Sequence, residues 1–192
     1  MDTSTGIALV SVMVAAASAL YARYAWSTSR IAMAQQALMS ILLEYRSAEM
    51  MDAVKTLWDF RRDNPGDSMV VKYEEIRKKD DELWRNAASS DKIAFVAGTL
   101  HFKRRLVSHF YAYLAHLVDH KILPEDIFYG SWSKTDLEII PQVLVPLERG
   151  LGQALKVGAP AVLLSFQKLY DNAPKIATRG THGQQSIDVG EC

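Results

Sequence analysis

The chain has 192 residues, 49% of them hydrophobic and 23% charged, enough apolar matter for one packed domain with appendages. Lysine plus arginine equals aspartate plus glutamate at 22 each, so the overall basic excess of a dedicated nucleic-acid binder is missing and no nucleic-acid partner is expected. The one cysteine, Cys192, has no second cysteine to pair with, which excludes an intrachain disulfide framework.

The first element is the stretch "GIALVSVMVAAASALYARYAW", residues 6–26. No charge occurs between Gly6 and Ala22, and as a helix the stretch spans roughly 31 Å, about the thickness of a bilayer core. Tyr21, Arg23, Tyr24 and Trp26 gather at one end, the residue types that settle at a membrane–water interface. A cleaved signal fits less well, because the first residues are "MDTST" and carry no basic side chain, although Ala17-Ser18-Ala19 imitates a cleavage site. A soluble alanine-rich helix is the other alternative. The expectation is a single transmembrane anchor over residues 6–26 behind a short non-cytoplasmic tail, residues 1–5. Arg23 and Arg30 lie only on its C-terminal side, which places the N-terminus outside and the bulk of the chain in the cytoplasm, at a bacterial inner membrane.

Residues 27–46 come next as a linking helix. Ile31, Ala34, Leu38, Ile41 and Tyr45 recur at alternating three and four positions, which fits packing on the chain's own domain or a short homodimer seam through Ile31, Leu38, Ile41 and Tyr45. Residues 47–173 read as a helical cytoplasmic domain. Ser47 is placed to cap its first helix, which "NPGD" at residues 64–67 stops. A charged helix over residues 68–87 offers Glu74–Lys78, Glu75–Lys79 and Asp81–Arg85 as pairs. Its apolar stripe is Val70, Tyr73, Ile76, Leu83 and Trp84. "SSD" at residues 89–91 is expected to cap one long helix running to Ile122. "PEDIFYGSW" is short, and Ser133 with Asp136 resembles a capping box. Pro141 and Pro146 must break or kink the helical segment that reaches Leu155, and Pro160 can open a last helix. Residues 174–192 have little to bury and read as a disordered tail. The expected class is all-α: one transmembrane helix followed by an irregular helical bundle.

Candidate chemistry lies in "HFKRRLVSHFYAYLAHLVDH". His109, His116 and His120 fall within roughly 40° of one another on a helix, and His116 with His120 is an i,i+4 pair of the kind that binds metals. The chain lacks HExxH and any evident carboxylate set, so boundary histidines are the reading adopted, with no metal or cofactor. Arg104 and His109 resemble the spaced Arg and His of the all-helical HEPN ribonucleases. That resemblance implies phosphodiester cleavage, with Arg104 stabilising charge and His109 moving a proton. Lys103, Arg104 and Arg105 suit phosphate or lipid headgroups, or carboxylates of neighbouring helices. Arg105 is the one expected to be paired, being near the apolar boundary.

Taken together, an anchor, "LLEYRSAEMMDAVKTLWDF", a charged helix, "FKRRLVSHFYAYLAHLVDHKILPEDIFYGSW" and "IIPQVLVPLERG" resemble a bacterial family known as domain of unknown function 4760. Arg105, Phe110 and Tyr111, with Leu117-Val118 before a short acidic turn, carry the likeness, which spans residues 31–150. The resemblance implies a membrane-attached helical domain and supplies no catalytic residues. The expected function is a non-enzymatic, membrane-anchored module acting on a protein partner beside the lipid bilayer. The alternative is a HEPN-like ribonuclease or metal-dependent enzyme built on Arg104, His109, His116 and His120.

Overall fold

The computed structural model describes the backbone of residues 3–86, 92–155 and 162–174, with side chains from residue 11 in the first stretch and from residue 95 in the second. Among the described residues every regular element is helical. They are α1 (Thr3–Tyr45), α2 (Ala48–Asp63), α3 (Ser68–Asn86), α4 (Lys92–Gly98), α5 (Leu100–Asp119), α6 (Glu125–Ser131), a π-helical turn (Ile140–Leu144), α7 (Val145–Ala154) and α8 (Val162–Asp171).

Anchor and linker are one element: α1 runs unbroken for 43 residues, about 65 Å at 1.5 Å per residue. Only its C-terminal part joins the domain. Ala34, Leu38 and Ile41 are buried, and the Tyr45 ring packs at 5.6 Å from Phe110 and edge-on at 4.9 Å from Trp132. The three–four spacing is therefore met by packing within the chain. Ile31, the other position of the expected dimer seam, is exposed. Every side chain of residues 11–33 is exposed.

Among the described residues, no helix is long and apolar enough to cross a membrane. Side chains of the expected anchor are described from Ser11 to Trp26, about 24 Å of helix against a core of about 30 Å. Ser11, Ser18 and Arg23 dilute it. The side chains of Gly6–Val10, which open that span, lie outside the described residues.

Ser47 caps α2 as its sequence suggests, accepting from the Met50 amide at 3.2 Å, and Gly66 (φ 68°) turns the chain into α3. α5 is the central post of the bundle, packing against α2, α3, α4 and α8. Val107, Tyr111, Leu114 and Val118 bury one face of it among Met50 and Leu57 of α2, Phe166 of α8, and Ile140 and Leu144 of the π turn. Phe110, Tyr111, Phe128 and Trp132 stack and edge together beside its middle. Gly150 brings α7 against α3 so closely that a Cβ there would lie 2.3 Å from Val70 Cγ1.

The long helix expected from residue 89 to Ile122 is instead two. Thr99 leaves the helical conformation, accepts from the Phe102 amide at 3.1 Å, and starts α5 afresh after Gly98. Residues 89–91, the expected cap, lie outside the described residues, as do Pro160 and residues 175–192. α5 also stops early. Ile122 donates to the Leu117 carbonyl and Lys121 to the Val118 carbonyl, a Schellman stop with Lys121 in the left-handed region (φ 56°). Ser133 and Asp136 do bond reciprocally, Ser133 N to Asp136 Oδ2 at 2.8 Å. They open a run of turns rather than a helix. Pro141 and Pro146 break the next helix into the π turn and α7.

Candidate functional site

Position along α5 decides what each polar side chain does. Arg104, Ser108 and Tyr111 share the buried stripe, while Arg105, His109, His116 and His120 share the outer one. Arg104 is 6% exposed and pairs with Glu148 of α7, which also accepts from the Ser108 hydroxyl. Lys103 reaches Asp52 of α2 at 2.6 Å and Thr56 at 3.0 Å. The basic run thus mainly ties α5 to α2 and α7. The expectation for Arg105 is corrected: it is exposed, and its neighbour Arg104 takes the interior position because it lies one residue closer in phase to Val107 and Tyr111.

Arg104 belongs to a longer chain of polar groups. It lies against the phenol of Tyr73, a residue 1% exposed on α3, and that phenol meets Nδ1 of His101 at 2.7 Å. Burial, first, pushes the Tyr73 pKa up to about 12, with the Arg104 guanidinium acting against it. The phenol therefore keeps its proton at neutral pH. His101 is held below its ordinary pKa, first by burial, then by the Arg104, Arg105 and Arg77 guanidiniums, with Asp81 opposing. It is accordingly neutral.

Burial of the phenol sets the direction of the Tyr73–His101 hydrogen bond. The O–H of this buried phenol is directed to Nδ1 of His101, an acceptor within its reach, since the nearby guanidinium of Arg104 only donates. The proton of His101 then resides on Nε2, away from Tyr73. His101 borders an open cleft of about 320 Å³ between α3, α4 and the start of α5. Phe95, Val96 and Phe102 form its apolar wall, and Arg77, Asp80, Asp81 and Arg105 its charged rim. Arg77 is engaged by Glu74 at 3.0 Å and Asp81 at 3.2 Å. These and Lys72–Glu75 are the ion pairs seen within α3 among the described residues, in place of the pairs expected from spacing.

The histidine row lies elsewhere. His116 and His120 are exposed, with ring centroids 4.0 Å apart and planes tilted by 36°, and His120 Nδ1 is bonded to the His116 carbonyl at 3.0 Å. His109 is also exposed, about 10 Å back along the helix axis. Among the described residues, no three His, Cys, Asp or Glu side chains are placed to hold a metal ion. Arg104 and His109 do not converge: one points into the bundle and the other away from it. Tyr21, Arg23, Tyr24 and Trp26 are exposed together on α1.

Sequence reasoning passed over His101, Ser108, Tyr73 and Glu148 as site residues. His101 sits outside the regular histidine spacing; its partner Tyr73 lies 28 residues before it, and Glu148 lies 44 residues after Arg104. The legible signal was a tyrosine on the apolar stripe of a highly charged helix. Comparisons of the chain with protein-family models, with curated proteins and with solved structures find no match.

Proposed function

We propose that the chain is a membrane-attached helical module, with the N-terminal half of α1 seated in a bilayer and the bundle carried on its continuation. The observation that carries this reading is the exposure of all side chains in residues 11–33, of which residues 12–22 are apolar but for Ser18. Val12, Met13 and Val14 are consecutive and Leu20 is 70% exposed, so apolar groups point in every direction around the axis. Each large one stands to gain roughly 1.5–3 kcal/mol from leaving water. Residues 6–10 would supply the remaining length for a full crossing.

In this reading Trp26 and its neighbours sit at the interface, and Arg23 and Arg30 keep the bundle on the cytoplasmic side. Ala34, the first buried residue among the described side chains of α1, lies about 12 Å beyond Trp26 along the same helix. The domain stands off the surface on a stiff stem, as suits a scaffold that meets a protein partner. The resemblance to domain of unknown function 4760 points the same way.

The test is fractionation. Full-length chain should remain with membranes after carbonate or high-salt washing, and deletion through Trp26 should release it. Recovery of the full-length chain in the soluble fraction without detergent would defeat the reading.

A further inference from the structure

We propose that the α3–α4–α5 cleft is a binding site for a small organic carboxylate with an apolar or aromatic body, held by the Nε2–H of His101 and the guanidinium of Arg105. Donor direction, local charge and shape all favour such a ligand.

Tyr73 fixes His101 as a donor toward the cleft, because its buried O–H takes Nδ1 as acceptor at 2.7 Å. An imidazole held this way can donate to an acceptor in the cleft. Arg105 stands at the same rim, exposed, four residues further along α5. One N–H and one guanidinium match the two oxygens of a carboxylate, in charge-assisted hydrogen bonds. The Arg104, Arg105 and Arg77 guanidiniums each disfavour a charged His101, and Asp81 opposes them.

The rim also sets an upper limit on ligand charge. Asp80 and Asp81 border the cleft and would repel a dianion such as a phosphomonoester more strongly than a monoanion. Phe95, Val96 and Phe102 offer an apolar wall, and a cleft of about 320 Å³ is within the size range of small-molecule sites. Tyr73 is a positioning residue here: it touches His101 rather than the ligand.

The test is a calorimetric titration of the full-length chain in lipid nanodiscs, corrected against empty nanodiscs. The probes are phenylacetate, its uncharged isostere phenylacetamide, and the dianion phenyl phosphate. Phenylacetate should bind saturably, and the other two at least roughly tenfold more weakly, the scale of one charge-assisted hydrogen bond. Arg105→Ala, at an exposed position, should lose about the same factor while melting at the wild-type temperature. Tyr73→Phe should weaken phenylacetate several-fold and move proton occupancy from Nε2 toward Nδ1 in the ¹⁵N spectrum of His101. No saturable binding of phenylacetate, equal binding of phenylacetamide, tighter binding of phenyl phosphate, or an unchanged affinity in Arg105→Ala would each overturn the proposal.

Discussion

Residues 11–33 of α1 and the whole of α5 are both regular helix, yet they are stable for different reasons. α5 alternates a buried face, from Val107 through Tyr111 to Val118, with an exposed one carrying Arg105, His109, Tyr113, His116 and His120. It gains its stability from the apolar face it presents to α2 and α8. The α1 segment is exposed on every side and gains nothing from the bundle. In the proposed reading a bilayer covers this helix, which no described residue of the bundle buries. A perturbation of the bundle should therefore leave attachment intact.

The strongest such perturbation is Glu148→Ala. It strands Arg104, a guanidinium 7% exposed, with its carboxylate gone. Breaking a buried pair in this way costs roughly 3–5 kcal/mol, to be read as a fall in the urea midpoint of the bundle. The same variant should still sediment with membranes. The double variant Arg104→Met/Glu148→Leu should recover most of the loss, because an apolar pair of similar volume removes the stranded charge.

A smaller effect is expected from acid. Because the folded-state pKa of His101 is lowered, chiefly by burial, the unfolded chain takes up this proton first as pH falls. Its contribution to stability is complete above the unfolded value of about 6.5 and is lost as the pH drops toward the folded one. Unfolding midpoints measured from pH 7.5 to 5.5 should decline, and His101→Gln should flatten that decline. α1 contains no histidine, so vesicle binding should stay level over the same range.

The smallest effect concerns the stop of α5. Lys121 occupies a left-handed conformation that glycine adopts without a Cβ penalty. Lys121→Gly should raise bundle stability by about 0.5–1 kcal/mol, measured by thermal unfolding, with no change in attachment.

Much of this was legible in the residues. Ser47, the "NPGD" turn and the two prolines before α7 act locally, through caps and missing donors, and local chemistry is what a sequence displays. The apolar phase of α5 was legible too, but a one-residue error in phase exchanged Arg104 for Arg105 as the buried partner. The break at Gly98-Thr99 was hidden because Thr99 caps from within a run that otherwise keeps helical periodicity. The Glu148–Arg104–Tyr73–His101 chain was not legible at all. It joins three helices far apart in sequence, and only their packing brings a carboxylate, a guanidinium, a phenol and an imidazole into line.

The central claim is that residues 11–22 of α1 lie in an apolar phase while the rest of the stem stands in water. Spin labels at Val14 and at Thr28, introduced singly in a Cys192→Ser background of the full chain on lipid vesicles, address it directly. The two sites are about 21 Å apart along the helix. With the segment in the bilayer, the Val14 label should be relaxed by molecular oxygen and shielded from a water-soluble nickel chelate, with the reverse at Thr28. Equal exposure of both labels to the nickel chelate would contradict the claim.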